Sequence, residues 1–140
     1  MSDRIFLDTN IFIYAWDASH LGKQVAALEL IRSATEAKIG VISYQVVQEF
    51  LNAALTKARR KMTHDDARVY LEKVLRPLLS VPSSIPLFDA AIHLQGRYRF
   101  SWYDSLIVSA AQQANCKILY TEDLQHGQRL GDLLIQNPFL

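Results

Sequence analysis

Apolar and polar positions alternate along this chain in a way that separates short strands from longer helices. Residues 4–8, RIFLD, form a short apolar run that ends in an acid. The run is too short for a helix and predicts a buried strand. Asp8, Thr9 and Asn10 break it, and residues 11–16 can begin a helical turn. Residues 21–36 place Leu21, Val25, Leu28 and Ile31 at helical spacing, and residues 39–43, IGVIS, predict a second strand. A helix follows over residues 45–61, with Val46, Phe50 and Ala53 on one stripe. Thr63 with Asp66 three places on is a capping-box signature. Behind it Ala67, Tyr70, Leu71, Val74, Leu75 and Leu78 give the cleanest amphipathic pattern, disturbed in its last turn by Pro77.

Residues 81–86 are expected to be extended or loop, and Leu87, Ala91, Leu94 and Tyr98 mark another helix that closes near residues 96–100. Ser101 with Asp104 is a second capping-box signature, opening a helix to about Asn115. Residues 117–120, KILY, predict a strand running into Thr121-Glu122-Asp123. The tail holds Gly127, Gly131 and a short apolar run at residues 133–135. Strands alternating with helices predict an α/β fold: a three-layer α/β/α sandwich around a mainly parallel central sheet of four or five strands. The chain of 140 residues is expected to be a single domain, residues 1–140.

The remaining composition narrows the chemistry mostly by exclusion. A formal net charge of +1 gives no bulk case for nucleic acid, so any basic surface must be local. Cys116 is the only cysteine, which excludes an internal disulfide, and close-spaced Cys/His zinc ligands are missing. No apolar run approaches a membrane span, and the start MSDRIFLDTN lacks the apolar stretch of a signal peptide. A reducing cytoplasm is the expected location. Neither G-x-x-x-x-G-K nor G-x-G-x-x-G occurs, and His20, His64, His93 and His126 form no ligand-spaced pair.

Against that background four acids stand in apolar settings: Asp8 in RIFLDTN, Glu49 in VVQEFLN, Asp104 in WYDSLIV and Asp123 in ILYTEDL. A carboxylate beside a core is costly unless something compensates it. Converging carboxylates raise one another's pKa values, and a divalent cation reverses that penalty. In open parallel sheets ligands bind beyond the carboxyl ends of the strands. Asp8 and Asp123 fall at two such ends, Asp104 in a first helical turn and Glu49 about two turns into a helix. Each also has an ordinary reading. Asp8 can be a helix cap or Asx turn, Glu49 a stripe-edge residue reaching solvent, Asp104 half of a capping box, and Asp123 a turn residue with Glu122 as rival ligand. Thr9 and Asn10 can order water or backbone near Asp8.

The segments FLDTNIFIYA, SYQVVQEFLN, SWYDSLIVSAA and LYTEDL, in this order and spacing, resemble a PIN-domain ribonuclease of the VapC toxin type. The resemblance spans essentially the full length. It places the family's four acids on Asp8, Glu49, Asp104 and Asp123 and its hydroxyl on Thr121. Where some relatives carry a further acid, this chain has Gln125, which puts a second metal in doubt. The resemblance implies metal-dependent hydrolysis of RNA, with Mg²⁺ or Mn²⁺ held mainly by Asp8 and Asp104. Asp123 would complete the cluster, and Glu49 would act through water or as the base for the attacking water. It also implies an antitoxin protein that masks the site and a homodimer.

Lys57, Arg59, Arg60 and Lys61, and Arg97 and Arg99 around Tyr98, are candidate phosphate contacts, with Tyr98, Trp102 or Tyr103 for stacking. A solvated helix end is the favoured reading of the first cluster. Two rivals remain: a non-enzymatic interaction module on the same fold, and an aspartyl-nucleophile phosphatase, which lacks the usual second acid because Asn10 stands there.

Overall fold

The computed structural model describes residues 3–140. Strand β1 (Ile5–Leu7) is buried at all three positions and lies at the sheet centre, as an apolar run without alternation requires. It leads through helices α1 (Thr9–Trp16) and α2 (Leu21–Glu36) to β2 (Gly40–Ser43). Helix α3 (Tyr44–Asn52) continues into a π-helical turn, Ala53–Lys57. Helix α4 (His64–Tyr70) likewise continues into a π turn, Leu71–Leu75, before β3 (Leu79–Val81). Helices α5 (Ile85–Tyr98) and α6 (Trp102–Gln113) then lead to β4 (Ile118–Tyr120), β5 (Arg129–Leu130) and β6 (Leu133–Gln136).

The strands pair in the order β3-β2-β1-β4-β6-β5. All pairings are parallel except β5 with β6. From β1 the chain steps to β2 and β3 on one side, then returns across β1 to β4. Right-handed crossovers therefore put α1 to α4 on one face and α5 with α6 on the other. This is the expected three-layer α/β/α fold. The direction reverses between neighbours β1 and β4, which makes their carboxyl ends a topological switch point and the natural place for a ligand.

Several elements stand where the sequence puts them. Helix α2 has the expected bounds, and the Thr63–Asp66 capping box forms in both directions. Pro86 sits in the first turn of α5, where a missing amide costs nothing. Arg99, at φ 60, ends that helix in the left-handed region. Cys116 is a buried thiol, pushed up to about 12 by burial.

Three expectations need correction. The sheet has six strands rather than four or five, because β3 forms directly after the π turn and the two-residue β5 folds back on β6 through Gly131 (φ 62). The helix expected over residues 45–61 is α-helical only to Asn52, and Ala58 is already extended. On α2 three of the four stripe positions face outward: Leu21, Val25 and Leu28 are 68%, 66% and 51% exposed, while Ile31 is buried as expected, together with Ala27 and Ala34. The reason is distance. A Cβ on Gly40 would lie 3.1 Å from Ala34 Cβ and 2.6 Å from Leu78 Cδ2, so at Ala34 the helix approaches β2 too closely for a larger side chain. Among the described residues no helix is long and apolar enough to cross a membrane.

Candidate functional site

Asp8 is the first residue after β1, and its position is fixed from both neighbours. Its amide donates to the Tyr120 carbonyl at 3.0 Å, extending the β1–β4 ladder by one bond. Its side chain caps α1: Oδ1 accepts from the Thr9 amide at 2.7 Å. Oδ2 accepts from the Thr121 hydroxyl at 2.8 Å. The cap reading of Asp8 is therefore correct, and each oxygen keeps a second lone pair.

The next two residues each reach a different acid. The Thr9 hydroxyl donates to Glu49 Oε1 at 2.8 Å, joining α1 to α3. Asn10 Nδ2 approaches Asp123 Oδ2 at 3.3 Å, joining α1 to the loop after β4. Thr121 closes the network, because its Oγ1 also accepts from the Asp123 amide at 3.0 Å. Thr9 and Asn10, just beyond the end of β1, thus orient three acids far apart in sequence: Asp8, Glu49 and Asp123.

Asp104 enters from the opposite layer, in the first turn of α6. The Ser101 hydroxyl accepts from the Asp104 amide at 3.1 Å. Gln45 Nε2 donates to the Tyr103 carbonyl at 3.1 Å and so ties α3 to the start of α6. Gln45 lies one helical turn before Glu49, on the same face of α3. The sequence reading missed it, although that i, i+4 relation to Glu49 was available.

Asp8, Glu49, Asp104 and Asp123 all line one crevice of about 640 Å³ over the β1–β4 switch point. Glu122 does not. It turns away, accepting from Tyr14 at 2.7 Å and from Lys23 at 2.7 Å. Of the cationic candidates only Lys57 lines the crevice, and of the aromatic ones only Tyr103, which is exposed.

The electrostatics follow from burial and crowding. Burial pushes Asp8 up to about 7; Asp123 and Glu49 push the same way, and the Thr121 hydroxyl and Thr9 amide oppose them. Asp104, half-buried, is raised first by burial and then by Asp123 and Glu49, against the Ser101 hydroxyl. Crowded acids of this kind are a cation-seeking arrangement.

Two further oxygens belong to the same wall. Asn10 Oδ1 and Gln45 Oε1 are buried with no hydrogen-bond partner among the described residues, an expensive condition. Every potential donor here is oxygen, the set that hard divalent cations prefer. Among the described residues no three His, Cys, Asp or Glu side chains stand close enough together to clasp an ion by themselves.

The sequence profile described as PIN domain matches residues 5–129. No curated protein sequence matches the chain. Among solved structures, a toxin–antitoxin complex from Klebsiella pneumoniae is similar at 18% identity and TM-score 0.66, over 96% of this chain and 97% of that one. VapBC2 from Rickettsia felis, bound to a promoter DNA fragment, is similar at 21% identity and TM-score 0.67, over 95% and 97%. The sarcin–ricin-loop-cleaving toxin VapC20 of Mycobacterium tuberculosis is similar at 17% identity and TM-score 0.61, over 85% and 89%. At these identities the likeness carries the fold.

Proposed function

Because this chain belongs to the PIN-domain family, we propose that it is a divalent-metal-dependent ribonuclease and the toxin of a toxin–antitoxin pair. The observation that carries the reading is the convergence of four acids from β1, α3, α6 and the loop after β4 on one crevice. The unpaired amide oxygens of Asn10 and Gln45 in the same wall support it.

Asp8, Asp104 and Asp123 would hold Mg²⁺ or Mn²⁺, with water completing the shell because the carboxylates stand apart. Such an ion neutralises charge on phosphoryl oxygens and acidifies water. The protein's own groups supply order. Thr121 and the Thr9 amide hold Asp8 by one oxygen each, which leaves each oxygen a lone pair for an ion at the crevice that Asp8 lines. Thr9 holds Glu49 by Oε1, and Oε2 is the oxygen assigned to take the proton from the attacking water. The water oxygen bonds to phosphorus as the bond to the 3′ oxygen breaks; that oxygen takes a proton from solvent, leaving a 5′-phosphate and a 3′-hydroxyl.

The partner assignment draws on the toxin–antitoxin complexes among the similar structures. A cognate antitoxin would cover the crevice. A cytoplasmic homodimer of one nuclease domain completes the reading, in keeping with the single buried thiol Cys116 and the apolar residues that α2 exposes.

The test is cleavage of single-stranded and structured RNA by the purified protein in Mn²⁺, in EDTA, and with Asp8→Asn. Cutting in Mn²⁺ that EDTA and the substitution both abolish supports the reading. Cutting that persists in the variant at wild-type rate sinks the assignment of Asp8. One observation favours the rival interaction module: Asp8 does cap α1. In that case RNA is left intact and divalent ions leave the melting temperature unchanged.

A further inference from the structure

The acidic crevice does not end at its carboxylates. Ile13, Ala53 and Lys57 line it and also wall an apolar pocket of about 190 Å³. That pocket shares Trp16, Asp17, Ala58 and Arg59 with a third space of about 460 Å³, which Arg60 and the turn after α1 close. One trough therefore runs from the four acids to Trp16. The π turn Ala53–Lys57 gives Ala53, Ala54 and Lys57 to its lining, and such helix irregularities recur at functional sites.

The walls of the trough have the two properties that single-stranded nucleic acid needs. The first is a fixed aromatic face. The Trp16 indole N–H is spent on the Arg60 carbonyl at 2.8 Å, which locks the ring. Trp16 is half-buried and packs in part against the core, and among the described residues no other ring stacks on it. The second property is positive charge outside any direct ion pair. Lys57, Arg59 and Arg60 form no ion pair among the described residues. Arg32, Arg68 and Arg76 each pair with a carboxylate three or four residues away. Nor do Arg59 and Arg60 sit on the last helical carbonyls, since Ala58 is extended at ψ 147 and carries them past the helix end. Asp17 is the one acid in this wall: it accepts from the amide and hydroxyl of Ser19, and the nearby charge of Arg59 helps hold its carboxyl below the usual range without a direct ion pair.

We propose that this trough is a nucleotide subsite for single-stranded RNA: a base flanking the scissile bond stacks on Trp16, and its phosphates meet Lys57, Arg59 and Arg60. The inference rests on the ribonuclease reading and names how that site holds its substrate. An acidic peptide would satisfy the cations and leave the indole face unused, which is why a nucleotide is favoured. Stacking on an aromatic ring with backbone phosphates on nearby cations is sequence-tolerant and salt-sensitive.

The chain has two tryptophans, so Trp102→Phe leaves Trp16 as its sole indole. That variant is titrated in EDTA with a short oligouridylate, following indole fluorescence, so binding is read without cleavage. The expected result is saturable quenching that weakens as salt rises. Adding Arg59→Gln and Arg60→Gln, both exposed, should weaken it by about tenfold or more. In the otherwise native chain, Trp16→Phe should weaken binding of a labelled oligouridylate, read by anisotropy. Oligouridylate that binds without altering Trp16 fluorescence overturns the subsite. So does equal quenching by polyglutamate, or affinity unchanged by the arginine substitutions. The two readings separate cleanly. RNA cleavage with no Trp16 response removes the subsite and keeps the ribonuclease; quenching with no cleavage in Mn²⁺ keeps a single-strand site and removes the ribonuclease.

Discussion

The Thr121 hydroxyl donates to Asp8 Oδ2 at 2.8 Å while accepting from the amide of Asp123 at 3.0 Å, so one buried oxygen sets the relation between two acids of the crevice. Thr121→Val keeps the shape and removes both bonds. It leaves the Asp123 amide without this acceptor and takes away a bond that lowers the pKa of Asp8. The expected loss is about 1–3 kcal/mol of stability, with weaker binding of Mn²⁺. Thr121→Ser should restore most of both. Chemical denaturation and calorimetric titration of the pair check this.

A pH dependence follows from Asp8. Burial, with Asp123 and Glu49 behind it, raises the carboxyl from its ordinary 3.8 to about 7 in the folded protein. Between those values the folded state keeps a proton that the unfolded chain has released, so protonation favours folding. The metal-free protein should lose stability as pH rises from about 4 to about 7, by a few kcal/mol at most. Asp104 is shifted in the same direction, and the exposed Glu29 and Glu72 in the opposite one. The difference between wild type and Asp8→Asn isolates the Asp8 contribution. It should grow across that window in favour of the variant, as measured by urea midpoints in EDTA.

Thr9 acts on Glu49 through a single bond of 2.8 Å. Thr9→Val frees the carboxylate without altering its charge. RNA cleavage should fall about 10- to 100-fold in kcat while affinity for the substrate holds, because the base is no longer oriented. Thr9→Ser retains the hydroxyl and should cleave near the wild-type rate. Equal rates for Thr9→Val and wild type would remove Glu49 from the proton-taking role.

Glu122 and Asp123 are adjacent and face different surroundings. Glu122 accepts from Lys23 and Tyr14, with Lys23 stacked over the rings of Tyr14 and Phe139. The Lys23–Glu122 pair is partly exposed, at 37% and 28% of side-chain area, so Glu122→Gln should cost about 1 kcal/mol or less. It should leave the Mn²⁺ response intact. Asp123→Asn should weaken that response. A thermal-shift series in Mn²⁺ distinguishes the two.

Much of this was written in particular residues. The apolar run ending at Asp8, the Thr63 box and the bounds of α2 follow local rules of pattern and capping. The four acids were legible because strand ends in a parallel sheet share one edge. Other features depend on distances between elements. Leu21, Val25 and Leu28 look like a core stripe until the close packing of Ala34 on Gly40 selects the face of Ala27, Ile31 and Ala34. The π turns in α3 and α4 carry no periodic signature of their own. The bonds from Thr9 to Glu49 and from Gln45 to Tyr103 join residues 40 and 58 positions apart, which no local rule reaches. The basic run after α3 is exposed, but the extended Ala58 before it and the bond from the Trp16 indole to the Arg60 carbonyl, 44 positions apart, are again beyond any local rule.

The proposed nuclease depends on the acids of this crevice sharing a divalent ion. Calorimetric titration of Mn²⁺ into the wild-type protein, Asp8→Asn and Asp104→Asn tests it most directly. Saturable binding is expected in the wild type and its loss in both variants, although Asp8 and Asp104 stand on different layers of the fold. Unchanged Mn²⁺ binding in either variant, or none in the wild type, would contradict it.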